Sequence, residues 1–217
     1  MIDLNKCENI FIDFDGVIVD SNKFKEIAIE ESICKLFGKT KESLIAIDYF
    51  NVNAGISRKE KLSLFFRDYE VQKIMKIYSR KCNDFFKKTF PAEGLRLFLS
   101  EIKKKKNNIK FFVLSGGEEQ EIIYFLQKHF LINFFEEILA SNRTKIDHLK
   151  KKQTSENDIF IGDSKNDLKA SLKCGIRFIL FEEYKSLKSF PSEELIKNHV
   201  SLRTNNFKTL MGKIKYE

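Results

Sequence analysis

Five segments of the chain, at about 9–14, 110–114, 136–140, 158–161 and 176–180, are apolar throughout instead of alternating with polar residues. Such runs of Ile, Phe, Val and Leu are expected of strands covered on both faces, as in a parallel sheet. The later runs are separated by stretches with helical spacing of apolar residues, roughly 93–105, 117–129, 144–152 and 165–173. Strand and helix in alternation predict an α/β fold with a parallel sheet and right-handed crossovers. The first and second runs break this rhythm, with nearly a hundred residues between them. Most of that gap, from Asp20 to Lys88, carries helical periodicity: Phe24, Ile27, Ala28, Ser32 and Leu36, then Leu62, Phe65, Phe66 and Tyr69, then Ile74, Ile77, Tyr78, Cys82 and Phe85. Turn residues interrupt it at Gly38-Lys39-Thr40 and between Asn51 and Gly55. The pattern predicts a helical bundle at 18–88 inserted into a core formed by 1–17 and 89–217. Its two connections fall near 17–21 and 87–93, with Pro91 at the return. After Leu180 the signals are mixed. The tail is expected to pack on a sheet edge, with a last helix near 206–214.

Composition narrows the class without naming an activity. A chain of 217 residues can bury a full core. Its four cysteines, Cys7, Cys34, Cys82 and Cys174, are scattered without Cys-x-x-Cys spacing, which argues against a zinc site or disulfide framework and for a reducing compartment. No leader pattern and no stretch of about 20 apolar residues is visible, so a cytoplasmic protein without a membrane span is expected. The formal charge of +8 raises nucleic acid as a partner. The lysines, however, are spread along helix-like segments beside Glu. The densest run, 103–106, falls at a helix end, where the helix dipole favours cations. No aromatic residues interleave with it, so nucleic acid is not expected. The excess charge can still attract anionic substrates.

The candidate chemistry sits at the ends of the apolar runs. Ile10-Phe11-Ile12 leads into Asp13-Phe14-Asp15-Gly16-Val17-Ile18-Val19-Asp20. Two carboxylates so close at the mouth of a buried strand resist ionising together unless a cation or a shared proton relieves them. The run at 110–114 ends in Ser115-Gly116-Gly117, and the run at 158–161 in Gly162-Asp163-Ser164-Lys165-Asn166-Asp167, with Thr144-Lys145 opening a helix between them. Each segment also reads as an ordinary turn or helix cap. Together, in this order, they resemble the four motifs of the haloacid dehalogenase-like hydrolases, over about residues 10–180.

That resemblance implies a Rossmann-like core with a helical cap inserted after the first motif, and a Mg²⁺-dependent phosphatase acting on a small phosphorylated metabolite. It implies that Asp13 attacks phosphorus and forms an aspartyl-phosphate. Asp15 would protonate the leaving oxygen and then take a proton from water, a task suited to a carboxyl with a raised pKa. Asp13, Asp163 and the Asp15 carbonyl would hold the metal, with Asp167 behind them. Ser115, Gly116 and Gly117 would hold phosphoryl oxygens, and Lys145 would offset charge beside Asp13. The presence of Asp15 points to phosphate esters and away from carbon–halogen or carbon–phosphorus bonds.

Within the expected cap, Gly55-Ile56-Ser57-Arg58-Lys59-Glu60-Lys61 combines a turn, an N-cap and an Arg in the first helical turn. A similar segment occurs in β-phosphoglucomutases, where the Arg grips the phosphate that is not transferred. Arg58, with Lys61, is therefore expected to meet a second anion of a sugar-phosphate-like substrate. A phosphomutase is the alternative reading. Against it, residues 22–25 read Asn-Lys-Phe-Lys, without the histidine such mutases carry there. A non-catalytic nucleic-acid or scaffold module is the third reading, opposed by the intact set of carboxylates.

Overall fold

The computed structural model describes residues 1–141 and 143–216. Six parallel strands form the central sheet: β2 (Asn9–Ile12), β3 (Lys110–Leu114), β4 (Phe135–Leu139), β5 (Ile159–Gly162), β6 (Arg177–Phe181) and β7 (Leu202–Thr204), in the order β4-β3-β2-β5-β6-β7. The apolar runs thus become strands of a parallel α/β sheet. The first strand is shorter than the run suggests, because Asp13 and Phe14 already lie in the loop beyond it. The sheet's two faces are both covered. Ile10, Ile12, Phe111, Val113, Ile159 and Ile161 pack with α5 (Leu95–Lys105), α6 (Glu119–Lys128) and α10 (Phe207–Met211). Phe11, Phe112, Phe160 and Phe178 face α7 (Lys145–Lys151), α8 (Lys165–Cys174) and α9 (Glu193–His199). The 103–106 lysine run lies at the end of α5.

The tail holds more order than its mixed signals indicate. Ser192 caps α9, and β7 pairs with β6 to make the sheet edge. A separate two-stranded parallel sheet joins β1 (Ile2–Asp3) to β8 (Ile214–Lys215), the latter lying where the end of the last helix was expected. Strands this short are held by long-range pairing and leave little periodicity to read.

Between β2 and α5 the chain makes four helices, α1 (Asn22–Phe37), α2 (Lys41–Val52), α3 (Arg58–Ser63) and α4 (Asp68–Phe86). The buried face of α1 is Ala28, Ile29, Ser32 and Ile33, whereas Ile27 and Leu36 are exposed. The two connections to this helical unit run side by side: Val19 bridges Pro91, and Ala92 N–H donates to the Ile18 carbonyl at 2.8 Å. Phe14, Phe86 and Phe125 meet edge to face at 5.3–5.7 Å, so one aromatic cluster joins the first loop, α4 and α6. Among the described residues no helix is long and apolar enough to cross a membrane.

Candidate active site

In open parallel sheets, ligands bind beyond the carboxyl ends of the strands, where neighbouring connections diverge to opposite faces. Here β2 lies between β3 and β5, and the loops after these three strands deliver Asp13, Ser115 and Asp163 to one crevice. The helical unit closes over it, leaving a cavity of about 80 Å³ whose wall includes Asp13, Asp15, Ser115, Gly116, Gly117 and Asp163 from the core side. Arg58 and Lys61 come to the same cavity from α3.

Lys145 is the hub of the buried charges. Thr144 caps α7 by accepting from Asp147 N–H, which fixes Lys145 at the first helical position. Its Nζ lies 2.8 Å from Asp13 Oδ1 and 2.5 Å from Asp167 Oδ1. Burial opposes an ammonium there, but these two carboxylates outweigh it and raise its pKa. Asp167 uses its other oxygen to accept from Ser164 N–H and Oγ–H, closing a capping box at the start of α8. Ser164 therefore caps that helix and leaves the Asp163 side chain free to face the cavity, where Asn22 Nδ2 donates to it at 2.7 Å. Gly16, at φ +78°, allows this approach, since a Cβ there would stand 2.3 Å from both Asp163 Oδ2 and Asn22 Nδ2.

The oxygens of Asp13, Asp163 and Asp167 all lie within 4.8 Å of one another and are buried. Burial, with Asp167 alongside, pushes Asp163 up to about 8, and burial raises Asp13 well above the carboxylate range despite Lys145. Carboxylates that one ammonium cannot keep ionised call for a further cation. An all-oxygen set of this kind fits a hard ion such as Mg²⁺.

Ser115 Oγ accepts from Gly117 N–H at 3.0 Å, while Ser115 N–H is tied to the Leu139 carbonyl at 2.9 Å. The hydroxyl hydrogen remains available to an oxygen in the cavity. Gly116 meets the helical unit directly, because a Cβ on it would lie 2.6 Å from the Gly55 carbonyl oxygen.

Two expectations need correction. Asp15 is not held with a raised pKa. Burial alone would raise it, but Lys25 Nζ and Ser21 Oγ both donate to its Oδ1 and hold it below the usual range. Nor is Arg58 a free guanidinium. Its Nη1 and Nη2 lie 2.8 Å and 2.5 Å from the two oxygens of Glu121 on α6, and both side chains are buried. Lys61 instead donates to the Phe50 carbonyl at 3.0 Å, and burial beside Arg58 and Lys25 pushes its pKa down to about 7.

Sequence reasoning passed over Lys25, Asn22, Glu121 and Ser189 as functional residues. Lys25 and Asn22 sit three apart on the first turn of α1, one face of a helix entered directly from the acidic loop, and that spacing was a usable signal. Glu121 is 63 positions from its partner, and Ser189 lies in an irregular loop after β6. Neither leaves a local pattern.

A family profile described as haloacid dehalogenase-like hydrolase matches residues 10–181. No curated protein matches the chain. Solved structures share the fold. A haloacid dehalogenase-like family hydrolase from Streptococcus pneumoniae is 15% identical with a TM-score of 0.69, covering 95% of this chain and 98% of that one. For β-phosphoglucomutase from Clostridium difficile the values are 18% and 0.72, with 94% and 93% covered. For CbbY from Rhodobacter sphaeroides, solved in complex with phosphate, they are 15% and 0.71, with 94% and 96% covered.

Proposed function

We propose, since this chain belongs to the haloacid dehalogenase-like hydrolases, that it is a Mg²⁺-dependent phosphomonoesterase for a small phosphorylated metabolite. The observation that carries this reading is the convergence of Asp13, Lys145, Asp163 and Asp167 on one buried point beside Ser115. On this reading residues 18–88 act as a cap over a core of 1–17 and 89–217. Asp13, Asp163 and the Asp15 carbonyl would hold the metal, with Asp167 behind them on Lys145 and Ser164; the ion when bound offsets the charge of the carboxylates and the phosphoryl group.

The chain's own residues then have separable tasks. Lys145 orients Asp13 and, together with the charge of a bound metal, would keep it ionised, so that its other oxygen can bond to phosphorus as the ester oxygen departs. Ser115 Oγ and the Gly116 and Gly117 backbone hold phosphoryl oxygens. Asp15, ionised by its contact with Lys25, is set to take a proton from the water that hydrolyses the aspartyl-phosphate. Asp15 would also give the proton to the departing alcohol, since the negative charge of a bound phosphoryl group favours its neutral form. Closure by the helical unit keeps bulk water from the intermediate.

The test is Asp13→Asn, which should abolish phosphate release from aryl and metabolite phosphates while circular dichroism stays unchanged. Retained turnover would sink the mechanism. A phosphomutase, suggested by the Gly55–Arg58 segment, is the second reading. It requires isomerised product without stoichiometric phosphate, whereas phosphate released mole for mole rejects it.

A further inference from the structure

Helix α2 is apolar on two opposite faces. Ala46, Ile47 and Phe50 are buried on the inward one, and Phe50 with Asn51 reaches the catalytic cavity. The outward face repeats at helical spacing as Lys41, Leu44, Ile45, Asp48, Tyr49 and Val52, which line one groove on the surface. Leu44 is 49% exposed and Ile45 50%. The Tyr49 ring lies 5.3 Å from the Phe65 ring, which carries the apolar surface on to the turn between α3 and α4, where Leu64 is 62% exposed. A helix that is apolar all round is expected to be covered all round. Single exposed apolar side chains are ordinary, but a contiguous stripe of them rimmed by charge marks an interaction surface.

The charges on this face indicate what covers it. Lys41 stands three residues before Leu44, and Asp48 three residues after Ile45. Turned end for end about a twofold axis between Leu44 and Ile45, the stripe therefore matches itself. Lys41 of one copy meets Asp48 of the other and Leu44 meets Ile45, each contact being made twice. The face carries one charge of each sign, so two copies of a chain with formal charge +8 can meet there without opposing like charges. Within its own chain Asp48 has an exposed contact with Lys188, at 3.6 Å, which leaves its carboxylate open to a second cation. The edge strand β4 differs. It exposes Glu136 and Glu137, and pairing it with its own copy about Glu137 would set like charges opposite each other.

We propose that the outward face of α2 is the interface of a homodimer, with the two helices packed antiparallel about a twofold axis at Leu44 and Ile45. A helix of 12 residues spans about 18 Å. With the Leu64–Phe65 turn at its rim, the contact belongs at the small end of specific interfaces, and a dimer of micromolar affinity is expected.

Sedimentation velocity from roughly 1 to 200 μM, a range that brackets a micromolar Kd, should show the unmodified chain passing from monomer to dimer. Ile45→Glu should abolish the dimer. Lys41→Glu alone and Asp48→Lys alone should each weaken it at least about 10-fold, because each sets like charges opposite one another at two symmetric places. An equimolar mixture of those two variants should dimerise again, since each copy then supplies the charge that its partner lacks. All three side chains are exposed, and circular dichroism should show every variant folded. A monomer throughout the range would overturn the proposal, as would a dimer indifferent to Ile45→Glu. Loss of the dimer in both charge reversals without recovery on mixing would overturn the antiparallel pairing. Binding of the unmodified monomer to vesicles of phosphatidylcholine and phosphatidylserine, lost in Ile45→Glu, would assign the face to a lipid surface instead.

Discussion

The Arg58–Glu121 pair joins α3 of the helical unit to α6 of the core, and the cost of breaking it can be worked from its burial. Arg58 is 3% exposed and Glu121 6%, the contact is bidentate, and the guanidinium also lies 4.7 Å from the centre of the Tyr78 ring. Forming such a pair removes both charges from water, so its net contribution is small. Removing one partner instead strands the other, at a cost of about 3–5 kcal/mol. In a chain of this size each kcal/mol moves the thermal midpoint by about 2–4 °C. Arg58→Met or Glu121→Leu alone should therefore lower the midpoint by roughly 6–20 °C, toward the smaller figure if the helical unit swings open and hydrates the orphan. The double variant should recover most of the loss, because two apolar side chains replace the two charges. The coupling in a double-mutant cycle should reach at least about 2 kcal/mol. Scanning calorimetry or circular dichroism reads this, as the chain has no tryptophan to report by fluorescence. Additive losses in the double variant would show that the two side chains do not depend on each other.

Gly116→Ala should cut turnover on the order of 10²-fold with secondary structure intact, since its Cβ would stand 2.6 Å from the Gly55 carbonyl oxygen and keep the helical unit from seating. Full activity would show that closure tolerates the displacement. Metal-free protein should lose stability as pH rises from about 4 to about 8. In that window folded Asp163, pushed up to about 8 from 3.8, holds a proton that the unfolded chain has released. Mg²⁺ should flatten the slope by taking the proton's place, and chelation should restore it. A midpoint independent of both pH and Mg²⁺ would count against a metal on these carboxylates.

The sequence by itself determined the strands and the loops that follow them. Unbroken apolar runs such as Lys110–Leu114 and Ile159–Gly162 have no polar face to offer solvent, so they had to lie inside a covered sheet. Once those strands are parallel neighbours, Asp13, Ser115 and Asp163 must emerge at one edge, which is why residues 150 positions apart could be read as one crevice. Lys145 was legible for the same reason, as the first residue of a helix whose cap is written in Thr144.

Only the tertiary structure decided the charge state and availability of each group. Asp15 was expected to have a raised pKa because the acid and base role implied by the family resemblance suits such a carboxyl. Lys25, brought back by the first turn of α1, reverses that sign. Arg58 looked like a free clamp until α3 packed against α6 and Glu121 took both its Nη groups. Lys61 and Ser189 likewise reach the cavity wall only because the helical unit packs on the sheet. Apolar burial is a property of a segment and its periodicity, so it survives in the sequence. Electrostatic pairing depends on distances of a few ångströms between segments far apart in the chain, and the packing of the helical unit on the sheet sets those distances.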